Sequence, residues 1–349
     1  MTRLAFLTHI LFAISLFSLS CIICFLMVKR IKIMDIPNSR SSHEIPIPKS
    51  GGIVIVITFL IGVLALYLFG DATLIRGKYF FGFVFSALLI AGISLYDDIT
   101  EKPVFIKLIS HIIAAAIVIT FGIVIREIAL PWIGTVQLGA IGYFLTFLWI
   151  VGLTNAYNFM DGLNGMAAGP AVINGLFFCV LSYSQGSLFV YIICYTIIAG
   201  ALGFLVFNFP RPSLFMGDVG SAFLGFVFST LGIIGALYDH SHTSLFVMPL
   251  LMFNYIYDTS FTFIRRLRRG ENVLEAHRTH LYQLFNQLGH SHVRVSCFHF
   301  GQCILQGIGA YIMINIYGSN RIFVFIPFIV FQVIYSIIII NKASRKGLI

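Results

Sequence analysis

Apolar runs divide the chain at approximately 4–28, 51–69, 79–96, 104–125, 136–153, 166–182, 188–207, 219–238, 244–261, 297–316 and 321–340. Each is close to the ~20 residues a helix needs to cross the hydrocarbon core of a bilayer. Backbone groups in lipid must be satisfied within the segment that carries them, and the runs are about twice the length of a barrel strand. The pattern predicts an all-α, polytopic integral membrane protein of about eleven transmembrane helices, forming a single membrane domain over 1–349. The first run, after Arg3, is too long for the h-region of a cleaved signal peptide, and Lys29, Arg30 and Lys32 follow it as a stop signal. It reads as a retained span.

Polar residues are unevenly shared between the two ends of these spans. With the N-terminus outside, segments 29–50, 97–107, 154–165, 208–218 and 262–296 and the C-terminal tail are cytoplasmic and hold 17 of the 22 lysines and arginines. That bias sets the orientation. Ten of the 13 aspartates and glutamates lie on the same side, all but Asp71, Glu127 and Asp239. The positive-inside tendency does not extend to acids, so a working cytoplasmic face is the better explanation.

Composition supports this assignment: the chain is 59% hydrophobic and 10% charged, with a mean hydropathy of +0.97. Soluble domains carry roughly 25% charged residues. The net charge of +9 belongs to the span flanks and makes no basic face, so nucleic acid is not an expected partner. Cys21-x-x-Cys24 has redox or metal spacing, but it lies mid-span without a second pair; all six cysteines read as membrane-buried thiols.

Five cytoplasmic segments carry candidate chemistry. Asp35-Ile-Pro-Asn38-Ser-Arg40-Ser-Ser-His43 leads to Lys49-Ser-Gly51-Gly52. A bare connector explains its prolines and glycines; Arg40, His43 and Lys49 suggest anion binding, with Gly51 and Gly52 offering backbone N–H groups at a helix start. Asp97-Asp98, followed by Lys102 and Lys107, is either a solvated pair or a carboxylate centre for a phosphate-bound divalent cation. Asn155, Asn158 and Asp161 recur every three residues and would share one helix face. Such a stripe beside an apolar span is costly unless used; Asn164 lies just beyond, among glycines. Asn208 precedes Gly217-Asp218-Val-Gly220, where Asp218 is a helix cap or a metal ligand. Last, Arg265, Arg266, Arg268 and Arg269 read as a lipid anchor, ahead of His277-Arg278-Thr-His280-Leu-Tyr282-Gln283. Zinc on His277 and His280 lacks a clear third ligand, which leaves Arg278 and His280 as contacts for a diphosphate. Asp258 reads as a span-end cap or a partner of Arg265 or Arg266.

In these residues the chain resembles the polyprenyl-phosphate N-acetylhexosamine-1-phosphate transferases, membrane enzymes that start bacterial cell-envelope glycans. The similarity runs from about Asp35 to Gln283 and rests on five motifs in order: Asp-x-Pro-Asn-x-Arg…Gly-Gly, Asp-Asp, Asn-x-x-Asn-x-x-Asp-Gly, Phe-Met-Gly-Asp-x-Gly-Ser and the histidine-bearing last loop. The resemblance implies transfer of a sugar 1-phosphate from a UDP-N-acetylhexosamine to undecaprenyl phosphate, releasing UMP. It implies Mg²⁺, with Mn²⁺ as a substitute, an inner-membrane location with a cytoplasmic site, and a homodimer. By position it makes Asp97, Asp98, Asp161, Asp218 and His280 catalytic, with Asp218 and Asn155 on the metal. Arg40, His43, Lys49, Lys107, Asn155, Asn158, Asn164, Asn208, His277 and Arg278 would bind substrate. The Ala276-His277-Arg278-x-His280-x-Tyr282-Gln283 form and Asn164 resemble the O-antigen-initiating branch more than the peptidoglycan branch that uses a peptide-bearing muramic acid sugar. A transporter would place polar residues near the membrane midplane, whereas here they crowd one face.

Overall fold

The computed structural model describes residues 3–30, 33–37, 45–69, 75–100, 104–239, 242–273, 275, 277–316 and 318–349. It is an all-α membrane protein. The apolar runs become α1 (Arg3–Arg30), α2 (Ile53–Phe69), α3 (Gly77–Thr100), α4 (Val104–Thr120), α5 (Ala140–Phe159), α6 (Ala168–Ser184), α7 (Leu188–Asn208) and α8 (Asp218–Leu237). They continue as α9 (Val247–Leu251), α10 (Phe253–Arg268), α11 (Leu281–Gln287), α12 (His292–Ile314), a 3₁₀ segment (Gly318–Val324) and α13 (Phe325–Arg345). Among the described residues seven helices are long and apolar enough to cross a membrane, and α2, α4 and α6 are shorter apolar helices. Their outward faces carry large apolar side chains such as Leu148, Ile308 and Ile334, which suits lipid rather than water.

Helix α8 is the axis of the bundle: its entire apolar window is buried. It packs on α5 and α3, with α2 alongside, while α7 gathers α6, α1 and α2 into a second layer. Without a hydrophobic drive between helices in lipid, close packing of small residues takes its place. A side chain on Gly220 would come within 2.7 Å of the Gly52 Cα, so α2 and α8 meet backbone to backbone there.

Three expectations change. The fourth run stops as a helix at Thr120, and the fifth begins only at Ala140. Between them Glu127–Leu130 (β3) and Gly134–Gln137 (β4) pair antiparallel, after a two-residue pairing of Met34–Asp35 (β1) with Ile47–Pro48 (β2). Gly122 at φ 93° ends α4, and the apolar residues after it alternate into the hairpin. The ninth run is broken at Met252 into α9 and α10. Helix α10 turns its polar side inward, burying Asn254, Asp258, Thr262 and Arg266 at four-residue intervals, while Phe263, Ile264 and Leu267 face out. Finally, the long loop 262–296 is largely helical, through the end of α10, α11 and the start of α12.

The Gly52–Gly220 contact has a direct test. Gly52→Ala should lower the melting temperature in detergent, through overpacking worth about 1–3 kcal/mol. Gly92→Ala, at an exposed α3 position with nothing within 4 Å, should leave it unchanged or raise it slightly, since alanine favours a helix interior over glycine. Equal melting of the two variants would show that the crossing is looser than described.

Candidate active site

Four helix ends converge on one point. Asp97 and Asp98 lie in the last turn of α3, Lys107 in the first turn of α4, Asn155 and Asn158 in the last turn of α5, and Asp218 at the start of α8. The loops are shorter than their composition suggests, because α3 continues to Thr100 and α5 to Phe159. Helical spacing therefore holds for Asn155 and Asn158, whereas Asp161 lies beyond the end of α5.

Asp98 holds the arrangement together. Its Oδ1 accepts from the Asp218 N–H at 3.0 Å and its Oδ2 from the Val219 N–H at 3.2 Å, although Asp98 is only 7% exposed. A carboxylate here satisfies two N–H groups that the helix itself cannot and faces the positive end of the helix dipole. Gly217, at φ 73°, takes a left-handed turn beside it; a Cβ there would lie 3.0 Å from the Asp98 Cγ. Glycine is thus required both for conformation and for space.

Asp97 and Asp218 both pair with one ammonium. Lys107 Nζ lies 2.8 Å from Asp97 Oδ2 and also contacts Asp218 Oδ2. The other Asp218 oxygen accepts from Asn158 Nδ2 at 2.9 Å, and the same amide reaches Ser221 Oγ at 2.9 Å. Asn155 donates to the Val151 carbonyl of its own helix at 2.7 Å. Lys49 lies within electrostatic reach of Asp98. The expected backbone anion cradle at Gly51 and Gly52 is absent: their N–H groups bond to the carbonyls of Phe215 at 2.8 Å and Met216 at 2.7 Å. That pairing anchors the segment leading into α8.

Sequence reasoning missed His111, one turn beyond Lys107 on α4. Its ring lies beside Asn155, it is 2% exposed, and neither nitrogen has a hydrogen-bond partner within the protein. An ionisable residue within the apolar run Leu108–Ile119 was the available signal.

A second group sits across the end of α5. His280 Nδ1 lies 3.1 Å from Asp258 Oδ1, and His277 stacks on His280 with ring centroids 4.9 Å apart. Burial, reinforced by His280, Arg266 and Arg265, pushes the His277 imidazole down to about 4. Arg266 pairs with Glu271 at 2.8 Å, so Asp258 serves His280 rather than Arg265 or Arg266. The two groups are joined where Tyr282 Oη donates to the Phe159 carbonyl at 2.8 Å and presses on Gly162. Arg278 lies in the same loop, its carbonyl accepting from Gln287 Nε2 at 2.6 Å.

Asn164 and Asn208 stand apart, tying down neighbouring backbone. Asn208 accepts from the Gly165 N–H at 2.6 Å and donates to the Leu214 carbonyl at 2.9 Å, while Asn164 donates to the Pro210 carbonyl at 3.2 Å. Arg40 and His43 lie outside the described residues.

The acids outnumber their counter-charges. No cluster of three or more His, Cys, Asp or Glu side chains forms a metal cage among the described residues. Mg²⁺ does not need one, since one or two carboxylates plus substrate phosphates commonly suffice. Asp97 and Asp218 already converge on a cation, Lys107 Nζ, so the donor set fits such an ion. Along another face of α5, opposite α9–α10, runs an apolar groove of about 480 Å³ lined by Leu148, Gly152, Ala156, Pro249 and Ile256 among others. Its lining on α5 ends at Ala156, the residue after Asn155 in the chain.

Burial, then the charges of Asp218 and Asp98, raise the pKa of the Asp161 carboxyl well above the carboxylate range. Its folded form holds the proton more tightly than its unfolded form, so stability falls as pH rises from about 4 through the folded value. In metal-free buffer Asp161→Asn should melt with wild type below about pH 4 and above it at neutral pH. A variant no more stable than wild type at neutral pH would refute this electrostatic account.

The chain has clear relatives. The model of glycosyl transferase family 4 matches residues 80–236, which include every member of the α3–α4–α5–α8 cluster. A probable undecaprenyl-phosphate N-acetylglucosaminyl 1-phosphate transferase of Bacillus subtilis (strain 168) is 32% identical over 271 residues, covering 76% of this chain and 74% of the relative. A decaprenyl-phosphate N-acetylglucosaminephosphotransferase of Mycobacterium leprae (strain TN) is 30% identical over 300 residues, 77% of this chain and 74% of that protein. A phospho-N-acetylmuramoyl-pentapeptide-transferase of Leuconostoc citreum (strain KM20) is 33% identical over only 132 residues, 37% of this chain. Likeness over three quarters of its length to two such transferases identifies the chain as a member of glycosyl transferase family 4, within the polyprenyl-phosphate N-acetylhexosamine-1-phosphate transferases.

Proposed function

We propose that this protein transfers N-acetylhexosamine 1-phosphate from a UDP-sugar to undecaprenyl phosphate at the cytoplasmic face of a bacterial inner membrane, starting O-antigen or a related envelope polysaccharide. The observation that carries the proposal is a carboxylate–lysine centre at four helix ends of an apolar bundle, which also has an apolar groove along α5. A polyprenyl phosphate needs both: a lipid-facing path for its tail and a charged centre for its head. The relatives matched over about three quarters of the chain are by name N-acetylglucosamine phosphotransferases of polyprenyl phosphates, and the muramoyl-pentapeptide enzyme matches over a shorter stretch, which favours a simple N-acetylhexosamine.

In the reaction an oxygen of the lipid phosphate bonds to the sugar-bearing phosphorus, and the bond from that phosphorus to the UMP oxygen breaks. A phosphate monoester has its second pKa near 6, so the nucleophile is largely a dianion at neutral pH. Proton removal is not the obstacle; bringing a dianion to an anionic diphosphate is. Mg²⁺, held by Asp97 and Asp218, would supply neutralising charge. Lys107 adds a mobile cation at the same carboxylates, Asn158 orients Asp218, and Asp97 acts by positioning charge. Arg278 and His280 approach from the far side of the α5 end to hold the diphosphate.

Purified protein with undecaprenyl phosphate, UDP-N-acetylglucosamine or a related UDP-N-acetyl sugar, and Mg²⁺ should release UMP, and EDTA should stop it. Asp218→Asn should cut the rate about 10²–10³-fold, the cost of removing one strong electrostatic contact. No UMP from any UDP-N-acetyl sugar with folded protein would eliminate the transferase assignment. For Asp97→Asn a reduced rate with an unaltered pH profile is expected; loss of the acidic limb alone would instead make Asp97 a general base.

A further inference from the structure

Asp258 belongs to none of the five motifs, yet its carboxylate is held by four groups from α10 and the start of α11. It is 2% exposed in α10. Its Oδ1 accepts from the Leu281 N–H at 2.9 Å and the Thr262 hydroxyl at 3.2 Å and faces His280 Nδ1 at 3.1 Å; Oδ2 accepts from the Tyr282 N–H at 3.0 Å. A carboxylate offers about two acceptor positions on each oxygen; here three groups share Oδ1 and one holds Oδ2. It has no freedom to turn.

Capping α11 explains two of these bonds. The helix is further closed by the Gln283 side chain, which accepts from the His280 N–H at 3.2 Å. Neither feature calls for an imidazole against the carboxylate. Because an ionised carboxylate only accepts, the hydrogen between it and His280 must reside on Nδ1, which leaves Nε2 as the nitrogen free to face a ligand. His277 stacks against one side of that ring, and Phe159 and Tyr282 lie with centroids 6.0 Å away, so the ring is also held in orientation.

We propose that Asp258 is a positioning residue for the transfer reaction, fixing His280 in the Nδ1–H form and aiming Nε2 at the diphosphate of the substrate. This rests on the role given to His280 above. It goes further in assigning function to an aspartate more than 20 positions upstream in a different helix.

The test is a double-mutant cycle read as UMP release, with kcat and KM separated and melting temperatures recorded. Asp258→Asn keeps the shape but removes the charge and replaces one acceptor oxygen with an NH2 donor, and should lower kcat about 10–100-fold, as the loss of a supporting partner typically does. In the His280→Ala background the same change should cost less than about twofold, because a partner that acts only through His280 has nothing left to orient. An equal loss in both backgrounds, or an unchanged kcat in the single variant, would overturn the proposal and leave Asp258 as a helix cap. If Asp258→Asn does not fold, Thr262→Ala replaces it, since Thr262 touches Oδ1 and no backbone cap. It should give a loss of about 2–5-fold that disappears without His280; persistence of that loss would overturn the proposal. Full activity of His280→Ala alone would show that the role assigned to His280, rather than its coupling to Asp258, is at fault.

Discussion

Helix α8 is enclosed along its whole apolar window, and that enclosure imposes a condition at its N-terminus. The first N–H groups of any helix lack partners within the helix, and here lipid could not supply them. Asp98 does so from α3, with both oxygens. Everything near the centre follows from this contact. It sets Asp218, the first residue of α8, against Asp97, the neighbour of Asp98 in sequence. It also requires Gly217 to turn left-handed and excludes a Cβ there. The acidic centre is therefore a consequence of how a buried helix is started.

The same solution recurs at α11. Asp258 grips its first two N–H groups from α10, as Asp98 grips those of α8 from α3. In each case the helix so held delivers a functional candidate at its first turn or cap: Asp218 for α8, His280 for α11. Tyr282 then locks α11 onto the last carbonyl of α5, so the two centres share one wall. Two carboxylates acting across helices thus fix two sets of side chains relative to one another without a rigid soluble domain.

This logic bounds what the sequence could reveal. The spans were legible because a bilayer imposes a length that apolar runs report directly. Asp97, Lys107, Asn158 and Asp218 were legible as a group because each is a charge or amide placed next to lipid. The partners of Asp98 were not, being 120 and 121 residues away. Asp258 looked like a span-end acid for the same reason: its partners lie on the far side of an arginine cluster. The hairpin after α4 lies mostly between the fourth and fifth apolar runs, where two four-residue strands are too short for their pattern to stand out from a connecting loop. Gly51 and Gly52 looked free because only the folded chain brings Phe215 and Met216 beside them.

The charge balance of the centre connects fold to chemistry. Asp97, Asp98, Asp161 and Asp218 share one region with Lys107 and Lys49 as the nearby bases, and Asp161 responds by holding its proton far above the usual range. Asp98 is committed to α8 and cannot leave it without releasing the helix start. Asp97 and Asp218 are different: their partner is a flexible ammonium on a long side chain, about a quarter exposed. A contact to lysine in that setting is exchangeable where a backbone cap is not. The fold has therefore divided its tandem acids, one spent permanently on architecture and one left with an exchangeable partner. Adjacent aspartates serve that division because consecutive residues on a helix point about 100° apart, toward two different neighbours.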